Sequence, residues 1–292
     1  MKVLITGAGG QVGWELQQTA PANVDIIPLQ RADLDITDWS TTASVLQKYQ
    51  PDLVINAAAY TAVDKAEEEA DKAYKINADG AANIARAAGD CSARLIHLST
   101  DFVFDGCGSA PYQPEDEPKP TGVYGASKLQ GERAVMAESS GRAVILRTAW
   151  VYSVHGSNFV KTMFRLMAER DELNVVVDQL GTPTWAKELA TAVWLVAGNT
   201  GMQGIYHWTD DGEASWYDFA VAIQEEAYGL GLLQRMIPIK TIKTEEYPTP
   251  AKRPAYSVLD KTSTIEALGY KPPHWRESLR KMLIELKDRT ED

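Results

Sequence analysis

Lys2-Val-Leu-Ile-Thr-Gly-Ala-Gly-Gly-Gln-Val-Gly13 opens the chain with a short apolar run that breaks into glycines at Gly7, Gly10 and Gly13. Val3-Leu4-Ile5 has the length and β-branching of a buried parallel strand, and the residues from about Gln11 read as a helix. Glycines at every third position permit a tight strand-to-helix turn. They also let backbone N–H groups approach a pyrophosphate and let the helix pack close to the strand. The anion then sits at the positive end of the helix. The spacing is GxxGxxG rather than GxGxxG, and an ordinary strand-to-helix turn can use the same glycines. The place of the turn, on the first strand with strand–helix alternation behind it, favours a dinucleotide site.

That alternation runs through the first half. Strand-like runs occupy Lys2–Thr6, Asp25–Leu29, Leu53–Asn56, Arg94–Ser99 and Ala143–Arg147, with helical patterns at Gln11–Thr19, Thr41–Tyr49, Ala66–Ala88 and Tyr124–Ala137. The pattern predicts an α/β fold, a Rossmann-type doubly wound parallel sheet with helices on both faces. After about residue 150 strands shorten (Asn174–Val177, Gly204–Trp208, Met236–Ile239), helices Trp216–Tyr228 and Trp275–Lys287 stand apart, and the proline-rich Tyr247–Pro254 must be a loop. Residues 1–152 therefore read as the dinucleotide-binding domain, completed by elements near 185–200. Residues 153–292 read mainly as a smaller, mixed α/β substrate-binding region. Ligands of such sheets bind outside the carboxyl ends of the strands, so the residues just after each strand are the candidates.

Composition sets the limits. A chain of 292 residues, 45% hydrophobic and 24% charged, suits a globular protein with a full-sized core. A net charge of −11 argues against nucleic acid or an anionic membrane as partner. No apolar stretch reaches the length of a membrane span, and Met1-Lys2 leads straight into the first strand without a signal peptide. Cys91 and Cys107 are too few for a disulfide framework, which fits a cytoplasmic location. His97, His155, His207 and His274 make no metal-ligand spacing and read as ordinary residues.

Of twelve tyrosines, only Tyr124 has a lysine four residues later, Lys128. On a helix this places both side chains on one face. A lysine ammonium there lowers the tyrosine pKa and can hold a cofactor ribose, while the tyrosine passes a proton to or from a hydroxyl or carbonyl oxygen. A helix-surface pair with a solvated lysine has the same spacing. Position argues for chemistry: the pair follows the fourth strand, and Ser99-Thr100 at the tip of that strand can hydrogen-bond a substrate oxygen. With a nicotinamide held at the glycine turn, these residues outline hydride transfer to a carbonyl carbon.

At this point the chain resembles the extended short-chain dehydrogenase/reductase family, over nearly its whole length. The carrying stretches are Thr6–Gly13, Leu34-Asp-Ile-Thr37, Asn56–Asp64, Ser99-Thr-Asp-Phe-Val-Phe104, Tyr124-Gly-Ala-Ser-Lys128, Arg147-Thr-Ala-Trp-Val-Tyr152, Asn158–Met163, Asp178-Gln179 and Pro248–Pro254. Within the family it is similar to the reductases of 4-keto sugar nucleotides that serve cell-surface polysaccharides. The resemblance implies Thr100, Tyr124 and Lys128 as the catalytic set. Cofactor contacts are implied from Gly7, Gly10, Gln11, Val12, Gln30, Arg31, Asp35, Ile36, Ala58, Ala59, Tyr60, Thr61 and Ser99, together with Tyr124 and Lys128. Substrate contacts are implied from Val63, Thr100, Asp101, Trp150 and Arg253. Trp150 would pack on the apolar face of a deoxysugar, although a core residue after a buried strand is the other reading. Sugar-nucleotide dehydratases carry Asp-Glu after the threonine; here Phe102 follows Asp101, so simple reduction is favoured. A non-catalytic relative on the same fold, a regulatory subunit of methionine adenosyltransferase, is the alternative, against which the intact Tyr124/Lys128 pair weighs.

Cofactor choice turns on the end of the second strand. An acidic residue there would bind the ribose hydroxyl of NADH and repel a 2′-phosphate. Gln30-Arg31 offers no such carboxylate, and Arg31 can pair with the phosphate of NADPH, with some NADH use expected. A solvated loop arginine would look the same. Some relatives form a homodimer bridged by Mg²⁺ between carboxylates. Glu15 matches one ligand position, but Lys187 stands where a ligand glutamate is expected and Glu188 is displaced by one, which counts against the metal.

Overall fold

The computed structural model describes residues 1–291, with side chains to 289. The first half builds β1 (Lys2–Thr6), α1 (Gln11–Gln18), β2 (Asp25–Leu29), α2 (Trp39–Tyr49) and β3 (Leu53–Asn56). Short helices α3 (Val63–Ala66) and α4 (Ala70–Tyr74) follow, then a π-helical stretch Lys75–Gly80 and α5 (Ala81–Asp90). β4 (Arg94–Thr100), α6 (Val123–Glu138) and β5 (Val144–Thr148) complete this half. The second half contains β6 (Val151–Tyr152), α7 (Phe159–Glu169), β7 (Leu173–Val176), β8 (Leu180–Gly181), β9 (Thr184–Trp185), α8 (Ala186–Gly198) and β10 (Gly204–His207). β11 (Ala214–Ser215), α9 (Trp216–Gly229), β12 (Ile239–Ile242), α10 (Thr262–Leu268) and α11 (Trp275–Glu291) end it.

The central sheet has six parallel strands in the order β10-β5-β4-β3-β1-β2. β3 and β5 are buried along their whole length, as continuous apolar runs covered on both faces must be. One face packs on Leu16 of α1 and on Leu189, Val193 and Val196 of α8. The other packs on Leu46, Ile84, Ala85 and Val135 of α2, α5 and α6. A separate core, with Phe219, Ile223, Leu279 and Met282 at its centre, joins α7, α9 and α11 to β7. Gly204–His207, which reads as one of the short late strands, is instead the sixth strand of the main sheet, beside β5.

Two further elements differ from the sequence pattern. The expected strand at Met236–Ile239 begins three residues later, at Ile239, and pairs with β7. Pro238 has no N–H for a ladder and serves only as an acceptor, for Leu173 N. The long helix expected over Ala66–Ala88 is broken into α3, α4, the π-helical stretch and α5. Gly80 lies in the π-helical stretch, where a Cβ would stand 2.7 Å from Ile36 Cγ1. The extra residue per turn rotates Asn77 inward, where it is buried. Among the described residues no helix is long and apolar enough to cross a membrane.

Candidate active site

α1 starts directly off the glycine turn. Its N-cap is Gly10, which has no side chain to cap the helix, and no acidic residue stands in the first turn. The first backbone N–H groups are therefore left to an anionic ligand. Gly7 has φ +68°, the left-handed region that glycine tolerates, and a Cβ there would lie 2.6 Å from Ala58 N. A Cβ at Gly13 would lie 2.2 Å from Gly7 O. The turn has no room for side chains, and its outer side borders a cleft of about 860 Å³ at the carboxyl ends of β1, β3, β4 and β5. Gly7, Gly10, Gln11, Val12, Gln30, Arg31, Asp35, Ile36, Ala58 to Thr61 and Ser99 all line this cleft. Asp35 is turned to its own loop, accepting from Thr37 N and Oγ1 at 3.0 and 2.8 Å, which holds its carboxyl below the usual range. Deep in the cleft Ser99 Oγ and Thr148 Oγ1 are buried without a partner, as polar atoms awaiting a ligand would be. A dinucleotide fits these features.

Tyr124, Lys128, Thr100 and Asp101 meet on the same cleft. α6 comes close enough because it has glycines where the backbone touches: a Cβ at Gly125 or Gly131 would lie 2.0 Å from the carbonyl oxygen of Phe102 or Asn77. Thr100 Oγ1 donates to Asp101 Oδ1 at 3.0 Å and also sits against the Tyr124 phenol. Lys128 Nζ donates to Leu98 O at 2.7 Å and lies 3.4 Å from His97 Nε2.

Burial dominates the electrostatics. It pushes the Tyr124 phenol up to about 12, with the charge of Asp101 adding to the effect and the Thr100 hydroxyl opposing it. The expected lowering by Lys128 does not appear, because desolvation of a buried phenolate outweighs a lysine whose ammonium is turned to Leu98. Burial likewise brings Lys128 down to about 8, against the charge of Glu132, and raises Asp101 to about 6, against the hydroxyls of Ser257 and Thr100. Near neutrality Tyr124 thus holds its proton.

On the substrate side Val63, Thr100, Asp101 and Trp150 line the cleft. Trp150 has φ +47°, a strained backbone for a bulky residue and the kind that gathers at functional sites. Its indole stacks on Trp216 at 3.5 Å and 6°, and its carbonyl accepts from Thr184 N. Arg253 is not brought to the cleft wall: its guanidinium grips Asp64 with two bonds, 2.9 and 2.8 Å, and fastens the proline-rich loop to α3. Asn77 had no place in the sequence reading. It bonds Tyr60 N and O and the Ser127 hydroxyl, tying the loop after β3 to the helix that carries Tyr124. A polar residue at an inward position of a helical pattern was its signal. Ser157 and Asn158 also reach the cleft, and Asn158 Nδ2 donates to Gln11 Oε1 at 2.9 Å.

Glu15 lies outside this cleft, buried, with its carboxyl raised mainly by burial and one oxygen taken by Ser153 Oγ at 2.6 Å. Its charged neighbours are Lys187, Glu285 and Arg289, and both cations already pair with Glu285 at 2.8 Å. A site with its own ammonium and guanidinium does not fit a bridging divalent cation. Among the described residues no group of three or more His, Cys, Asp or Glu side chains could hold a metal ion.

Comparison with known proteins agrees over the full length. The family described as the RmlD substrate binding domain matches residues 1–288. A dTDP-4-dehydrorhamnose reductase of Aggregatibacter actinomycetemcomitans is 42% identical over 96% of this chain and 97% of its own. A spore coat polysaccharide biosynthesis protein, SpsK, of Bacillus subtilis is 44% identical over 97% of each. The crystal structure of a dTDP-4-dehydrorhamnose reductase from Clostridium acetobutylicum superposes with a TM-score of 0.92 at 44% identity, covering 98% of this chain and 100% of that one. The Bacillus anthracis reductase, solved in complex with NADP, gives 0.91 at 38% identity over 97% and 99%. The chain belongs to the RmlD family, the family of the dTDP-4-dehydrorhamnose reductases.

Proposed function

We propose that this protein reduces the C4 keto group of dTDP-4-dehydro-L-rhamnose with NADPH, giving dTDP-L-rhamnose. The observation that carries the reading is the meeting of Thr100, Tyr124 and Lys128 on the cleft bordered by the uncapped glycine turn. When bound, the reduced nicotinamide supplies the hydride. Tyr124 keeps its proton near neutrality and delivers it to the C4 oxygen as negative charge develops there. The Thr100 hydroxyl holds that oxygen beside the phenol. Lys128 holds the cofactor ribose, and the buried floor of the cleft keeps water from the reacting atoms. Residues 153–292 contribute Ser157 and Asn158 to the cleft and Trp216 behind Trp150, and two unpaired cysteines suit the cytoplasm. The test is NADPH consumption with dTDP-4-dehydro-L-rhamnose beside other 4-keto sugar nucleotides. Turnover favouring the rhamnose precursor supports the reading. No turnover with any of them, with a stable complex formed with a methionine adenosyltransferase, would replace it by the regulatory-subunit alternative.

Arg31 lines the cleft beside Gln30, just past the end of β2, and in this reading its guanidinium pairs with the 2′-phosphate. Arg31→Asp should shift the ratio of kcat/KM for NADPH over NADH by roughly tenfold or more towards NADH, since a charged hydrogen bond is lost and a repulsion gained. An unchanged ratio would remove Arg31 from the cofactor site.

Trp150 with its Trp216 backing forms the wall for the deoxysugar. Trp150→Ala should raise KM for the sugar nucleotide by roughly tenfold and lower kcat, with NADPH affinity unchanged. A purely structural role would instead cost about 3–5 kcal/mol of stability and leave substrate binding per folded molecule normal. Melting temperature and kinetics of the same variant separate the two.

A further inference from the structure

Thr6, Asn56 and His97 stand side by side on β1, β3 and β4, because the register pairs Thr6 with Asn56 and Asn56 with His97. Each is 1% exposed. Three polar side chains inside a sheet of Val, Leu and Ile are costly unless bonded, and these are bonded end to end. Thr6 Oγ1 donates to Asn56 Oδ1 at 2.6 Å, and Asn56 Nδ2 donates to His97 Nδ1 at 3.0 Å. At the far end of the row His97 Nε2 faces Lys128 Nζ across 3.4 Å.

The direction of the row is set by a backbone group. Ala58 N–H can only donate, and it reaches Asn56 Oδ1 at 3.3 Å. The amide must therefore turn its NH₂ to His97, whose Nδ1 accepts. A neutral imidazole that accepts at Nδ1 carries its proton on Nε2, and that proton points at Lys128. An ammonium has only donors to offer such a group, whereas an amine has a lone pair.

We propose that the Thr6–Asn56–His97 row is a positioning device that fixes His97 as a hydrogen donor towards Lys128 and so readies Lys128 to part with a proton. The inference rests on the reductase reading for its use. After Tyr124 has protonated the substrate oxygen, its phenolate is reprotonated at the expense of the Lys128 ammonium by way of the cleft that both side chains line: an N–H bond breaks at Nζ and an O–H bond forms at the phenol. The amine left behind accepts from His97 Nε2–H until solvent returns a proton to Nζ. Burial supports this by keeping His97 neutral, well below its ordinary range. The other titratable groups near Lys128 are Tyr124 and Glu132 on its own helix and Asp101 beyond β4. Glu132 is gripped by Arg147 of β5 at 2.9 and 2.7 Å, and the polar contact from the π-helical stretch is Asn77 on Ser127.

The test uses the ligand-free protein and no substrate, so its failure and the failure of the reductase reading are separate events. Long-range ¹H–¹⁵N correlation spectra should show His97 protonated at Nε2. Asn56→Asp puts an acceptor opposite Nδ1; it should switch His97 to the Nδ1–H form and raise the titration midpoint of Lys128, followed at its ε-carbon, by about one pH unit or more. In Asn56→Asp/His97→Phe most of that rise should vanish, since His97 carries it. A wild-type His97 protonated at Nδ1 would overturn the proposal without any variant. So would a Lys128 midpoint unmoved by Asn56→Asp in a folded protein, or a rise that persists undiminished in the double variant.

Discussion

Tyr124→Phe should lower kcat by roughly a hundredfold or more while leaving the Kd for NADPH within a few-fold of wild type. In the proposed reaction the phenol is the proton source: it is buried, sits against Thr100, and is pushed up to about 12, so it is protonated at the pH of any ordinary assay. Phenylalanine preserves the ring and its edge contact with Phe102 and removes only the hydroxyl. The loss should therefore appear in turnover and not in melting temperature. Stopped-flow hydride transfer beside a cofactor titration checks both halves. A variant within a few-fold of wild-type kcat would show that another group supplies the proton, and Asp101, raised to about 6 in the same pocket, would become the candidate.

Gly13→Ala is expected to be the most damaging change at the cofactor end. The new methyl would lie 2.2 Å from Gly7 O and 2.8 Å from Ala8 Cα, all backbone, so the turn and the start of α1 must separate. The N–H groups meant for the pyrophosphate move with them. Losing one or two charge-assisted hydrogen bonds, each worth about 1.5–3 kcal/mol, should lower NADPH affinity by on the order of a hundredfold, as isothermal titration would read. Affinity within a few-fold of wild type would mean that α1 does not hold the anion.

How much of this was legible in the sequence depends on how local the signal is. The strands β1, β3, β4 and β5 declare themselves by short apolar runs, and the glycine turn by spacing, because each is decided within a dozen residues. β10 is as short as the late strands around it, and nothing in Gly204–His207 says that it will lie beside β5. The break in the helix before α5 was hidden by continuous helical pattern, and with it the inward turn of Asn77. His97 reads as a lone histidine; its role needs the register of three strands, which no local pattern supplies. Arg253 reads as a substrate residue from its motif, and its pairing with Asp64, 189 positions away, is something no local pattern shows. Spacing gave the Tyr124/Lys128 pair, but the upward shift of Tyr124 follows from burial, which spacing cannot show.

The central claim is that hydride passes to C4 of the sugar in a single reduction, with Tyr124 supplying the proton. Turnover of dTDP-4-dehydro-L-rhamnose with NADPH deuterated at the transferred position of the nicotinamide tests it most directly. The account predicts one deuterium per product molecule, at C4 of the rhamnose, formed in step with cofactor oxidation. Product without deuterium at C4, or no product from a protein that binds NADPH normally, would contradict it.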